Sequence, residues 1–444
     1  MTRDRPRAMS TARLFSAMLL TLLVAGCGAA PSVTPSPSTS ALASPTTSTV
    51  PSAPLATPQT SPAATLSPPP TATPAATASS SPSAPPTPGA DNPPPSVPST
   101  SPTSAPSPSS TVVPAGFKAL SVTFASPTEG WVLGVEDCGT ATCGTIAHTL
   151  DAGRTWSTIP APATSVNPSG GTNAPSGVST LRFADPTDGW AFGPELWVTH
   201  GGGQTWNRLS VSGLSGDPVV ALEAAHGIVY AVFLDGAHDR FRIASTPVGS
   251  DIWTLSPLSL PIGAGPIPAI QLVLSGAAGW IIQNDRTVVN GARLVNGVWR
   301  SWQPVCSGVV GPAYLAAASS TDLVATCDIG AFSSPQGVHL YVSSDGGMTF
   351  GESATAVPAQ QGYVIASPDP SKIVIGATPV NGANTSVLLG SFNGGASWMV
   401  VAKPSDVSFT DLGFTTTTQG VVITSAGQLL MTRDAGDSWA AASF

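Results

Sequence analysis

The stretch TLDAGRTW, residues 149–156, recurs along the chain. It returns as SSDGGMTF at 343–350 and TRDAGDSW at 432–439. Drifted copies are THGGGQTW at 199–206 and SFNGGASW at 391–398. Two eroded copies are read in STPVGSDIW, ending at Trp253, and LVNGVWRSW, ending at Trp302. The closing aromatics are Trp156, Trp206, Trp253, Trp302, Phe350, Trp398 and Trp439, at intervals of 50, 47, 49, 48, 48 and 41 residues. Seven units of near-constant length therefore fill the chain from about residue 116 to 444, the signature of a repeat architecture.

The residue types explain the turn. An Asp carboxylate accepts backbone N–H groups inside a tight hairpin, and the Gly supplies a positive φ. Asp151, Gly153, Trp156, Asp345, Gly347, Phe350, Asp434, Gly436 and Trp439 fill those roles. Asn393, Gly395, Trp398, Gly203 and Trp206 fill them in the drifted copies, and Gly201 stands where the Asp is lost. A second element keeps the same period: VTFASPTEGW at 122–131 matches LRFADPTDGW at 181–190, with echoes at Gly279-Trp280 and Gly420-Val421. Around these turns lie short alternating apolar runs, four to a unit, and no helical period is sustained. The expected fold is all-β: a single seven-bladed β-propeller of four-stranded blades over 116–444. The three Asp residues of the intact copies belong to different blades. They are expected to lie far apart on the rim and to take no part in catalysis.

The turn resembles the Asp box, or BNR repeat, S/T-x-D-x-G-x-T/S-W. Such boxes occur in sialidases, sortilin-like receptors and photosystem II assembly-factor-like propellers. The pairing of F-x(5)-G-W with the box is most similar to the assembly-factor type. That resemblance implies a propeller used as a binding or assembly platform. A glycoside hydrolase is the alternative, since the segment FRIA at 241–244 echoes the F/Y-R-I-P of sialidases. It departs from them at Ala244, in its place in the third unit, and in having seven units rather than six. The hydrolase reading expects clustered arginines and carboxylates in the central funnel, whereas Arg242 is read as an ordinary strand residue.

Residues 1–26 read as an export signal: Arg3, Arg5, Arg7 and Arg13, then the apolar LFSAMLLTLLVA at 14–25. The apolar run is too short for a membrane span, which needs about 20 residues. Gly26-Cys27 completes a resemblance to the bacterial lipoprotein signal, which implies lipidation of Cys27 and an extracytoplasmic, lipid-anchored protein. Residues 27–115 are almost wholly Pro, Ser, Thr and Ala, with Asp91 the one charge after Cys27. Such a segment buries too little to offset backbone entropy, so a disordered, extended stalk is expected.

Of the chain's 16 basic residues four lie in the signal, and of its 24 acidic residues two, Asp4 and Asp91, lie outside the repeat region. The repeats are therefore acidic, which disfavours nucleic acid and direct attraction to an anionic membrane. Beyond Cys27, the cysteines number four: Cys138, Cys143, Cys306 and Cys327. Two disulfides, 138–143 and 306–327, suit an exported domain, with a zinc site the alternative. The histidines show no metal-ligand spacing, and no metal or cofactor is expected. Partner contact is expected at loops 135–145, 160–178, 234–240, 283–292, 304–312, 329–337 and 378–386. Asp235, His238, Asp239, Asp285 and Arg286 are their most polar members. The expected partner is an envelope or extracellular protein, with a glycan as the other candidate.

Overall fold

The computed structural model describes residues 111–444 except 140, 169–175, 264–268, 286, 310, 331–336, 381–384 and 405–406. The signal segment, Cys27, the stalk up to residue 110 and Arg286 lie outside the described residues. The described residues form seven antiparallel sheets and no helix. In each sheet four strands run in chain order from the innermost outward. The innermost strands are Lys118–Phe124, Thr180–Phe183, Val219–Ala225, Ala269–Ser275, Ala313–Ala317, Ala359–Asp369 and Phe409–Phe414. The fourth strands are Ser157–Ile159, Asn207–Arg208, Thr254–Pro261, Val298–Trp302, Gly351–Glu352, Met399–Ala402 and Ala440–Ala441. Each innermost strand touches the next, and the seventh touches the first, so they ring a central channel. The molecule is a seven-bladed β-propeller.

Strand alternation gives the ring two unlike faces. The first-to-second and third-to-fourth turns share one, here the turn face. The second-to-third hairpins and the connections between blades share the other, the loop face.

The F-x(5)-G-W pattern has a packing cause. A Cβ at Gly130, Gly189 or Gly420 would lie 2.5, 2.6 or 2.7 Å from the ring of Phe124, Phe183 or Phe414. Only glycine lets the second strand pass so close under that ring. The aromatic after the repeat turn then meets the same ring edge-on, at 6.3 Å for Phe124–Trp156, 6.1 Å for Phe183–Trp206 and 6.2 Å for Phe414–Trp439. The Trp of the pattern reaches the next blade. Trp131 stacks flat on Phe183, and its Nε1 donates to the Gly202 carbonyl at 3.4 Å. Trp280 Nε1 donates to the Gly346 carbonyl at 3.0 Å. Trp190 meets the eroded turn of blade 3, and its buried Nε1 finds no partner. Truncating such an indole costs about 3–5 kcal/mol, against about 1–3 for an unmade bond. Packing therefore holds Trp190 in place without its donor bond.

Blade 4 corrects the expected register. Its closing aromatic is Trp299, not Trp302. Asn296 and Gly297, both at positive φ (51° and 74°), form a two-residue hairpin between the paired Val295 and Val298. This shorter turn starts the fourth strand earlier, and Trp299 lies 3.0 Å from the Cβ position of Gly279. Trp302 instead donates through Nε1 to the Gly347 carbonyl of blade 5 at 2.8 Å.

The ring closes by packing. Blade 7 ends on its own fourth strand. Thr111–Val112 pairs with Ser157–Ile159 as a fifth strand on the outer edge of blade 1. A paired strand thus lies upstream of residue 116, where composition had placed the start of the fold. Across the seam, Ala119 N donates to the Gly427 carbonyl at 2.9 Å. Phe444 packs between Phe117 (4.8 Å) and Trp156 (5.3 Å). Val122, Ile423, Leu429 and Met431 share one buried cluster there. The seam also corrects the expected separation of the turns: Arg433 Nη2 donates to the Ala152 carbonyl at 2.6 Å, so the turns of Asp151 and Asp434 are neighbours.

Candidate functional site

The repeat turns satisfy their own polar groups. Asp345 Oδ1 accepts from Met348 N and Thr349 N, both at 2.9 Å, and from Ser343 Oγ at 2.8 Å. Its Oδ2 accepts from Thr349 Oγ1 at 2.6 Å, and Ser343 Oγ accepts from Gly347 N at 2.9 Å. Asp151 and Asp434 repeat the pattern with Thr155 and Ser438. The Thr155 hydroxyl foremost, and its N–H next, pull the Asp151 carboxyl down to about 2. In blade 6 Asn393 accepts from Ser397 N at 2.9 Å and donates to Ser397 Oγ at 2.8 Å. In blade 2 Thr199 Oγ1 still accepts from Gly203 N at 3.0 Å, although Gly201 offers no carboxylate. These carboxylates spend their acceptor capacity on the turn.

On the loop face a cleft of about 620 Å³ opens between blades 2 and 3. Val211, Leu214, Val219 and Phe233 give it a buried apolar floor. Glu195, Arg208, Ser210 and Asp217 stand around it. Glu195 accepts from Trp197 Nε1 and Thr164 Oγ1, both at 2.9 Å, and pairs with Arg208 at 3.1 Å. Burial opposes its charge, but these partners hold the carboxyl below its usual range. Asp217 has its carboxyl pushed up, by burial first and by Asp235 next.

Asp235, His238 and Asp239 come together beside that cleft, on the second-to-third hairpin of blade 3. Buried Asp235 accepts from His238 Nδ1 at 2.7 Å and Arg240 Nε at 2.9 Å, with Arg242 at 3.9 Å. The His238 bond leads the causes that hold its carboxyl low. Asp239 takes the turn's positive φ of 47°. Arg242 faces Asp235 rather than the channel, as expected for a strand residue. Asp285 belongs to blade 4, at the end of Ala278–Asp285, opposite Thr287. Residues 283–292 are therefore largely ladder rather than loop. So are residues 135–145, where Cys138 pairs with Ala141. Cys138–Cys143 and Cys306–Cys327 are disulfides, each with Cα atoms 5.8 Å apart.

No sequence pattern marks Asp328. It is 1% exposed and accepts from Gly362 N of blade 6, at 3.1 and 3.0 Å to its two oxygens. Burial pushes its carboxyl up to about 7 against that one donor. Burial first, and Asp328 next, raise Tyr314 to about 12. Nearby Thr326 Oγ1 is buried without a partner.

The channel holds a charged group of its own. Arg182 Nε donates to Glu223 Oε1 at 2.7 Å, and its Nη1 donates to the Leu181 carbonyl at 2.8 Å and Ser121 Oγ at 3.2 Å. Asp411 stands 3.9 Å from Nη1. Burial opposes the charge on Arg182, but Glu223 and Asp411 more than offset it and its pKa rises. Burial raises Glu223 despite Arg182. Single charged residues inside apolar strands (LRF, LEA, TDL) are the signal by which these three could have been found. The hydrolase reading expected clustered arginines and carboxylates in the central funnel, and two carboxylates meet one arginine there. Among the described innermost strands, Arg182 is the one arginine.

No protein-family model matches this chain, and no curated protein matches it. Among solved structures, YCF48 bound to D1 peptide is similar at 17% identity and a TM-score of 0.50, covering 72% of this chain and 95% of that one. YCF48 from Cyanidioschyzon merolae is similar at 14% identity and a TM-score of 0.50, over 73% and 98%. The likeness is one of fold. The GH74 enzyme of Niastella koreensis superposes at 13% identity and a TM-score of 0.42, over 73% of this chain and 65% of that one.

Proposed function

We propose that this protein is a surface lipoprotein whose propeller is a non-catalytic docking platform for an envelope or extracellular protein. A lipid on Cys27 anchors it to the extracytoplasmic face of the membrane, and residues 27–115 hold the propeller away from that surface. The intact turns of blades 1, 5 and 7 and the drifted ones of blades 2 and 6 are Asp boxes serving the scaffold alone. An extended segment of the partner lies in the loop-face cleft between blades 2 and 3. The observation that carries this reading is the cleft itself: about 620 Å³, with a buried apolar floor and polar walls. That is the make-up of a site that seats apolar side chains and fixes their orientation by a few polar groups. A propeller of the same fold is described with a bound D1 peptide, which supports a peptide-sized occupant here.

Cross-linking on intact cells, followed by recovery of the full-length protein, tests the reading. Wild type is expected to bring down a stoichiometric envelope protein. Ser210→Trp, placed at the exposed wall of the cleft, is expected to lose it. Recovery that survives Ser210→Trp but disappears on Leu150→Asp and Met348→Asp would move the site to the turn face. For the anchor, Cys27→Ser is expected to release the protein from membranes or leave it unprocessed. Unchanged size and membrane retention would remove the lipoprotein assignment.

A further inference from the structure

The channel opens on the turn face as a vestibule of about 610 Å³, separate from the loop-face cleft. Arg182, Glu223 and Asp411 line it, below hydroxyls of Ser275, Ser367 and Thr416. One cation faces two carboxylates there. Arg182 spends Nε on Glu223, spends Nη1 on Ser121 and the Leu181 carbonyl, and comes no nearer Asp411 than 3.9 Å. No other Lys, Arg or His pairs with either acid among the described residues. Gln271 spends its carbonyl oxygen and one of its two amide N–H donors on Leu315, and no charge of its own enters the balance. Glu223 Oε2 and the Asp411 carboxylate are left with acceptor capacity and a net negative charge, inside low-dielectric walls that focus the field. Among the described residues no cluster of acidic, His or Cys side chains could hold a metal ion, and the cavity is far larger than a bare ion.

The geometry points to a second binding site in this vestibule, for an alkylammonium group that donates its N–H bonds to Asp411 and Glu223. Such a group comes from a lysine side chain of a protein or from a free polyamine. The added positive charge supplies what Arg182 alone does not, and three N–H donors match the unused oxygens.

Titration calorimetry of the full chain with spermidine, and separately with an acetylated, amidated Gly-Lys-Gly tripeptide, tests this. One-to-one binding of either probe is expected, and the probe that binds names the source. Binding should weaken about tenfold or more in Asp411→Asn, as for loss of a charged hydrogen bond, and likewise in Glu223→Gln. Asp411→Asn is the cleaner variant, because Asp411 makes only the 3.9 Å contact. The same tripeptide with its lysine acetylated should not bind. The site is refuted by failure of both probes to saturate at millimolar concentration. Equal binding to wild type and both variants, or equal binding of the acetylated peptide, refutes it as well.

Discussion

Two aspartates of blade 5, one on each face, behave in opposite ways. Asp345, on the turn face, collects four donors from its own hairpin, the Thr349 hydroxyl foremost, and its carboxyl is held well below the usual range. Asp328, on the loop face, is buried between blades with one backbone N–H, and its carboxyl rises to about 7. The hairpin builds a site for a charge before burial is asked to accommodate it. The interblade position does the reverse. The turn face is thus locally self-sufficient, whereas the loop face depends on what neighbouring blades bring to it.

The largest expected effect separates these two carboxylates by pH. The folded value for Asp328 lies above its ordinary 3.8, so between about pH 4 and pH 7 the folded state holds a proton that the unfolded chain has released. Stability contributed at this site therefore falls as pH rises through that window, and the cost above it is on the order of 4 kcal/mol. Asp328→Asn should be more stable than wild type at pH 8 in chemical denaturation and should lack that slope. Parallel stability–pH profiles for the two proteins would show that burial does not govern this carboxyl.

The disulfides extend the comparison within the loop face. Cys306–Cys327 closes a separation of 21 residues and Cys138–Cys143 one of 5. By loop-closure entropy, replacing the longer pair with serines should cost about 3 kcal/mol and the shorter about 2 kcal/mol. Denaturant midpoints of the two double variants would check this. The reverse order would place the larger effect in the native hairpin rather than in the unfolded chain.

Smaller changes are expected on the turn face. Asp345→Asn should be mild, because Asn393 already serves blade 6 with one carbonyl oxygen and an N–H to Ser397. Asp345→Ala should speed amide exchange at Thr349 and Met348, and unchanged exchange would mean that Ser343 suffices for the turn. The stabilisation from Asp345 is fully present above its ordinary pKa and is lost only as pH falls through its low folded value in strong acid. The smallest effect is a gain. Gly201 has no heavy atom within 4 Å of its Cβ position and is not at positive φ. Gly201→Asp should restore the missing acceptor to blade 2 and raise stability by about 1 kcal/mol, read as a higher melting temperature.

The repeat of D-x-G turns and G-W pairs made the seven blades, their four-strand make-up and their box aromatics readable in the sequence. Those features are set by contacts inside one hairpin, such as Gly130 under Phe124, which recur at fixed spacing. Blade 4 is where that reading slipped, since an Asn-Gly hairpin replaced the longer turn and made Trp299 the closing residue. Asp235, His238 and Asp239 could be placed together because they share one hairpin. Asp285 could not be weighed beside them, since whether 283–292 is loop or ladder depends on strand pairing.

Three features were decided by the closed ring alone. Thr111–Val112 joined the edge of blade 1 rather than blade 7. The turns of Asp151 and Asp434 met across the seam. The channel drew Arg182, Glu223 and Asp411 together from blades 2, 3 and 7. A hairpin's chemistry is written in consecutive residues. A channel's is written by residues up to hundreds of positions apart, which meet only when the last blade packs against the first.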